Sequence, residues 1–206
     1  MLVRGVLLAM CCSAFATAAF ADQVLYSVSV DTHTISGLTG TVDFQFDPAT
    51  PLSQFAFSEI LNFTGGSLVP PSTITGDVGG ALPGIVVLNN DTPTNEYQEG
   101  FVFGPNILFD LLIAGPALTN PGLFLGGSTF SFSVLNSTGV PLLTTSSSGA
   151  LFAVDVNAGG TTTLNIYSPA VTITPEPASL FTLLTAVAVI GLVSVWSKRN
   201  SRSRLS

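Results

Sequence analysis

Short runs of alternating apolar and polar residues recur through the middle of the chain, with a period of two instead of the 3.6 of a helix. Within residues 41–47, for example, Val42, Phe44 and Phe46 alternate with polar side chains. This alternation is typical of a strand with one face in a core and the other in water. Three further runs share the alternation: residues 24–30, 130–134 and 152–156.

Less regular apolar runs predict more strands, separated by clusters of turn-forming residues. One such cluster contains Pro70 and Pro71. The additional strands are predicted near residues 54–63, 84–89, 97–103, 107–113 and 161–173. Many short strands at regular spacing predict an all-β fold, an antiparallel, jelly-roll-like β-sandwich of two facing sheets over residues 22–173.

The length and composition fit one such domain with a targeting segment at each end. The chain has 206 residues, of which 47% are hydrophobic, including 15 Phe. This is enough apolar material for one core, and we expect most Phe side chains to lie inside it.

Positive charge is confined to the two ends of the chain. No Lys or Arg occurs between Gly5 and Ser197. The five basic residues are Arg4, Lys198, Arg199, Arg202 and Arg204. Because a nucleic-acid surface must neutralise phosphates, this distribution excludes nucleic acid as a partner of the central domain.

The amino-terminal residues 1–21 have the order of a secretory signal peptide. Arg4 precedes an apolar stretch, and small residues at Ala19 and Ala21 come just before Asp22. This order predicts export, with cleavage after Ala21.

Cys11 and Cys12 are the two cysteines of the chain, and both lie inside the predicted signal. A lipoprotein signal is an alternative, but Met10 stands where a small residue is expected before Cys11. With the usual cleavage the mature protein has no cysteine. Disulfides and cysteine-ligated metals are then not expected.

Residues 178–196 form an uncharged apolar run long enough to cross a bilayer as a helix. Trp196 lies at its end, where interfacial aromatic residues are common, and the basic tail of residues 197–206 follows. By the positive-inside rule this tail faces the cytoplasm and the domain faces outward. A buried core helix is the alternative interpretation of the apolar run.

Pro175, Glu176 and Pro177 immediately precede that segment. The motif, the short hydrophobic helix and the terminal basic cluster over residues 174–206 together resemble the PEP-CTERM sorting signal of Gram-negative bacteria. The resemblance implies recognition by exosortase, a membrane-embedded cysteine protease, near the motif. It also implies an inner-membrane intermediate that is later released or transferred to the cell surface or the extracellular matrix.

Oxygen-bearing residues concentrate at residues 89–96, before a tyrosine. Carboxylate and amide oxygens suit Ca²⁺, but the loop lacks the spacing of an EF-hand, and a long turn of good turn-forming residues is the favoured explanation. The residues proposed for a ligand or calcium loop are Asp91, Asn95, Glu96 and Tyr97. His33 is the single histidine, and we expect it to be an exposed loop residue and not a metal ligand.

Glycoside hydrolysis requires two carboxyl groups, and four residues could supply them. These candidates are Glu59, Glu96, Glu99 and Asp110. The sequence does not place any two of them together, so no catalytic residue is predicted.

The sequence therefore predicts a non-enzymatic exported protein, structural or adhesive, of the cell envelope or extracellular matrix, without a cofactor or metal. The second hypothesis is a carbohydrate- or calcium-binding ectodomain, with extracellular polysaccharide as its partner. The third hypothesis is a carboxylate-based hydrolase.

Overall fold

The computed structural model describes residues 23–123 and 126–176, which form ten strands, one short helix and a 3₁₀ turn at His33–Ile35. The helix α1 spans Pro116–Thr119. The strands are β1 (Gln23–Asp31), β2 (Thr39–Pro48), β3 (Phe57–Thr75), β4 (Val78–Gly80), β5 (Val86–Asn89), β6 (Glu96–Ala114), β7 (Ser128–Asn136), β8 (Phe152–Val156), β9 (Thr162–Ile166) and β10 (Val171–Pro175). All named strand pairs are antiparallel, which confirms the predicted all-β, antiparallel class.

The strands belong to one continuous sheet, whereas the sequence suggested two separate ones. Its order is β4-β5-β3-β6-β2-β7-β8-β9, and β1 pairs with both β6 and β10. Strand β6 makes the connection: its first half pairs with β2, and its second half pairs with β1. Strand β3 follows β6 along both halves, with register shifts between Leu61 and Gly66. The sheet thereby divides into two layers.

The two layers face each other across an aromatic core. Phe109, on the second half of β6, packs edge to face on Phe44 of β2 and Phe132 of β7, with ring centroids 5.4 and 5.1 Å apart. Edge-to-face contacts at this distance are favourable for aromatic rings. The apolar faces predicted from alternation are confirmed: Phe44, Phe46, Phe130, Phe132 and Phe152 are fully buried.

Several predicted strand limits need correction. The two strands predicted near 97–103 and 107–113 are one 19-residue strand, β6. The single strand predicted at 161–173 is two, β9 and β10. Pro70 and Pro71, expected in a turn between strands, lie inside β3 where its register shifts, because a bulge accommodates residues that lack an N–H.

Several predicted features lie outside the described residues. These are the signal peptide with Ala19 and Ala21, Pro177, the apolar run 178–196, Trp196, and the tail residues Lys198, Arg199, Arg202 and Arg204. Within the described ranges, the structure contains no helix with the length and apolarity that a bilayer crossing requires.

Candidate functional site

A groove of about 480 Å³ lies on the outer face of β2 and β7. Its floor follows from the alternation of these strands: the apolar residues point into the core, so the polar residues between them point outward. The strand register places three outward pairs side by side. These pairs are Asp43 with Ser133, Gln45 with Ser131, and Asp47 with Thr129.

The walls of the groove come from later parts of the chain. They include Pro141, Ser148, Gly149 and Ala150, and also Tyr167, which follows β9. The Tyr167 side chain is 41% exposed. Tyr26 and Tyr97, the two other tyrosines, are 4% and 0% exposed. Tyr167 is therefore the tyrosine that can present its ring to a ligand.

Asp43 is the most buried carboxyl group of the groove floor. Its side chain is 5% exposed, and Gln45 Nε2 donates a 3.0 Å hydrogen bond to its Oδ2 atom. The same Gln45 nitrogen donates to Glu96 Oε1 at 3.0 Å, as does Gln98 Nε2. Among the described residues, the Asp43 Oδ1 atom finds no hydrogen-bond partner.

The surroundings of Asp43 favour its neutral form. Burial, and secondly the negative charge of Glu96, raises the pKa of the Asp43 carboxyl to about 7. The Glu96 carboxyl lies within hydrogen-bonding reach of Asp43. Burial also raises the pKa of Asp47, again with a contribution from Glu96. The neutral form of the Asp43 carboxyl is therefore well populated up to near neutral pH.

The residues proposed from the sequence as a ligand loop do not form one site. Asp91 is exposed, but the Asn95 side chain is buried and bonds to Phe46 O, Thr92 O and the Asp77 N–H. Tyr97 is fully buried and donates a 2.7 Å hydrogen bond to Glu99. Tyr97 and Asn95 are thus structural residues, and the proposal that Tyr97 contacts a ligand is wrong because no surface of it is available.

The same loop offers no metal cluster. Within the described ranges, no three His, Cys, Asp or Glu side chains converge as metal ligands. His33 is exposed in its 3₁₀ turn, and its backbone N–H donates to Asp31. Of the four loop residues, only Glu96 adjoins the groove, through its contacts with Gln45 and Asp43.

The four hydrolase candidates do not all lie together, although Glu59 and Asp110 are diagonal neighbours on one face of β3 and β6. Glu59 and Asp110 lie on neighbouring strands of the layer that contains β1, where Ser27 and Asn62 donate to Asp110. Glu99 is buried, whereas Glu96 lies on the outer face beside the groove. Two-carboxylate glycosidases hold their carboxyl groups at least about 5 Å apart, so Asp43 and Glu96, at hydrogen-bonding reach, are too close for that chemistry.

The first two residues of the sorting motif are joined to the folded domain. Pro175 is the last residue of β10 and lies opposite Tyr26. The Glu176 N–H donates to Leu25 O at 2.8 Å, and the Glu176 carboxylate lies 3.1 Å from Ser27 Oγ, whose single proton can go to Asp110 or to Glu176. Strand β10 thus extends two residues past the predicted domain limit at residue 173.

Sequence reasoning missed the groove residues Asp43, Gln45 and Tyr167. The available signal was that, apart from Leu135, the polar faces of β2 and β7 carry hydrogen-bonding side chains. Such faces are usually solvated, and the sequence does not reveal that residues near 139–150 cover this one. Comparison with protein-family models, with curated proteins and with solved structures finds no match for the chain.

Proposed function

We propose that the chain is an exported, non-enzymatic protein of the cell envelope or extracellular matrix whose β-domain, a jelly-roll-like sandwich, adheres to polysaccharide through the groove. The observation that carries this proposal is the groove itself, about 480 Å³ in volume and floored by paired polar side chains. Ligand sites in proteins commonly have volumes of about 300 to 1,000 Å³. The groove is large enough for a short stretch of sugar residues.

The chemistry of the groove suits a polyhydroxyl ligand. Asp47, Gln45 and Ser131 offer carboxylate, amide and hydroxyl groups that can exchange hydrogen bonds with sugar hydroxyls. Tyr167 adds an exposed aromatic ring against which the C–H face of a sugar can pack. This combination favours adhesion to glycan over a purely structural role.

Replacing Tyr167 with Ala should weaken binding to the preferred oligosaccharide about tenfold or more, because exposed aromatic anchors carry much of the energy of such contacts. The measurement is calorimetric titration of the full-length chain in non-ionic detergent with neutral, amine-bearing and uronate-bearing tetrasaccharides. Ile85→Ala is the control, since Ile85 is 53% exposed and does not line the groove. The proposal fails if none of the three sugars binds saturably.

We also propose that Pro175, Glu176 and Pro177 are a sorting motif recognised by exosortase while residues 178–196 hold the chain in the inner membrane. Support comes from the order of motif, apolar run and basic tail, and from the place of Glu176, immediately after the last described strand. In this proposal the domain faces outward, the tail is cytoplasmic, and the product reaches the cell surface or the medium.

Intact-mass measurement of the surface or extracellular form tests this sorting. We expect a mass lacking residues 1–21 and the apolar run with its basic tail. A chain in which residues 174–206 are replaced by an unrelated membrane helix and basic tail is the control, and it should stay uncut. An extracellular form that retains residues 178–206 would contradict the proposal.

A further inference from the structure

The charge of the folded domain has one sign. All twelve Asp and Glu residues lie between Asp22 and Glu176, and no Lys or Arg occurs from Gly5 to Ser197. A surface with one sign of charge attracts counter-ions and repels ligands of its own sign. The domain should therefore discriminate among polysaccharides by their charge.

Three of these negatively charged residues lie at or beside the groove, around the buried carboxyl group of Asp43. Asp43 and Asp47 line the groove, and Glu96 lies against Asp43. The amide donor of Gln45 is divided between Asp43 Oδ2 and Glu96 Oε1. It leaves Asp43 Oδ1 buried and without a partner among the described residues.

A buried acceptor without a partner is costly, and two neighbouring carboxyl groups, here the buried Asp43 and the half-buried Glu96, repel each other when both are ionised. A positively charged donor at the groove floor would lower both costs. A neutral hydroxyl supplies a hydrogen bond but no charge, and a carboxylate on the ligand would add a further negative charge. The groove floor is thus chemically complementary to an ammonium group.

We propose that the groove binds a polysaccharide bearing free amino groups, such as a deacetylated hexosamine polymer, with an ammonium group directed toward Asp43 and Asp47. This inference rests on the proposed adhesive function and narrows its ligand class. Tyr167 packs against a sugar ring, while hydroxyl groups of the ligand meet Ser131 and Thr129.

The pH dependence of binding follows from the groups around Asp43. Glu96 on β6, Asp47 on β2, Asp155 on β8 and Tyr167 after β9 are the titratable groups on this face. Raising the pH ionises Asp43 and strengthens binding to an ammonium group. A further rise in pH deprotonates the amine of the ligand and weakens binding again. A bell-shaped affinity profile is expected.

The experiment compares tetrasaccharides of glucosamine, N-acetylglucosamine and galacturonate, titrated into the full-length chain in non-ionic detergent. At low salt, about 20 mM, glucosamine should bind about tenfold or more tightly than N-acetylglucosamine, and the advantage should shrink at about 200 mM. Galacturonate should be the weakest ligand. The bell-shaped profile should appear for glucosamine alone.

Asp43→Asn should reduce the preference for the free amine from about tenfold to about twofold. Asp47→Asn should also reduce this preference. Asp91→Asn removes the same charge from an exposed loop residue and should keep the preference. Equal affinity for glucosamine and N-acetylglucosamine would overturn this inference while leaving glycan adhesion intact. Absence of binding to all three sugars would overturn the adhesive function as well.

Discussion

Replacing Gly65 with Ala is expected to lower the free energy of unfolding by about 3 kcal/mol or more. Gly65 lies in β3 where the register shifts, and its φ angle is +121°, a conformation that L side chains rarely adopt. A Cβ atom there would overlap the Asn106 carbonyl oxygen and lie 2.7 Å from the Ile107 Cα atom. Both neighbours are backbone atoms of β6 and cannot rotate away.

The position of Gly65 explains why the effect should spread. Here β3 follows β6 from one layer into the other, and a Cβ atom on Gly104 of β6 would lie 2.2 Å from the Gly65 carbonyl oxygen. A displaced β6 would disturb the packing of Phe109 against Phe44 and Phe132. The two layers would then no longer face each other at the correct distance.

Gly79→Ala is the matched control, since a Cβ atom at Gly79 meets nothing within 4 Å and its φ angle is not in the strained region. We expect a change within about 0.5 kcal/mol for this variant. Urea unfolding followed by far-UV circular dichroism measures both. Equal midpoints for the two variants would show that the close approach of β3 and β6 does not limit stability.

Raising the pH from about 4 to about 7 should destabilise the domain through Asp43. Burial raises the pKa of this carboxyl from 3.8 to about 7, so between these values the folded state holds a proton that the unfolded state has released. Stability falls with pH wherever the folded state binds more protons. The stability that Asp43 contributes is fully present below the pKa of this carboxyl in the unfolded state. It is lost as the pH rises through the pKa of the folded state.

One such proton changes the free energy of unfolding by at most about 1.4 kcal/mol per pH unit. From about pH 4 to about pH 7 this amounts to a loss on the order of 3 kcal/mol. Asp47, whose pKa is also raised by burial, acts in the same direction. Asp43→Asn should flatten the curve and stabilise the protein at pH 8, because an amide can donate to Glu96 and carries no charge.

Urea midpoints measured at intervals from about pH 4 to pH 8 test this dependence. Asp91→Asn serves as the control, because Asp91 is exposed and its replacement should leave the slope in place. A parent protein whose stability rises steadily through this window would contradict the assignment to Asp43.

The alternation of residue types fixed which face of each strand is buried. Phe44, Phe130 and Val154 occupy the core where their period of two placed them, because transfer of apolar side chains from water dominates the choice of face. The composition also fixed the sign of the charge that any ligand of the domain must meet.

Alternation carries no information about how far a strand continues or which strand lies beside it. Residues 104–106 interrupt the apolar pattern and indicated a break, yet the backbone continues through them as β6, since Gly104 allows β3 to approach. Pro105 has no backbone N–H, which favoured a break, but it lies between the residues of β6 that pair with β2 and those that pair with β1. One long strand therefore gives the same pattern as two short ones.

The sequence could not predict the groove, for a related reason. Asp43, Ser131 and Tyr167 are separated by many residues, and their proximity arises from long-range strand pairing and from the segment near 139–150 that covers them. The sequence by itself determined an acidic, all-β, aromatic-cored domain. Only the tertiary structure decided which of its carboxyl groups is buried, because burial depends on which distant segments pack together.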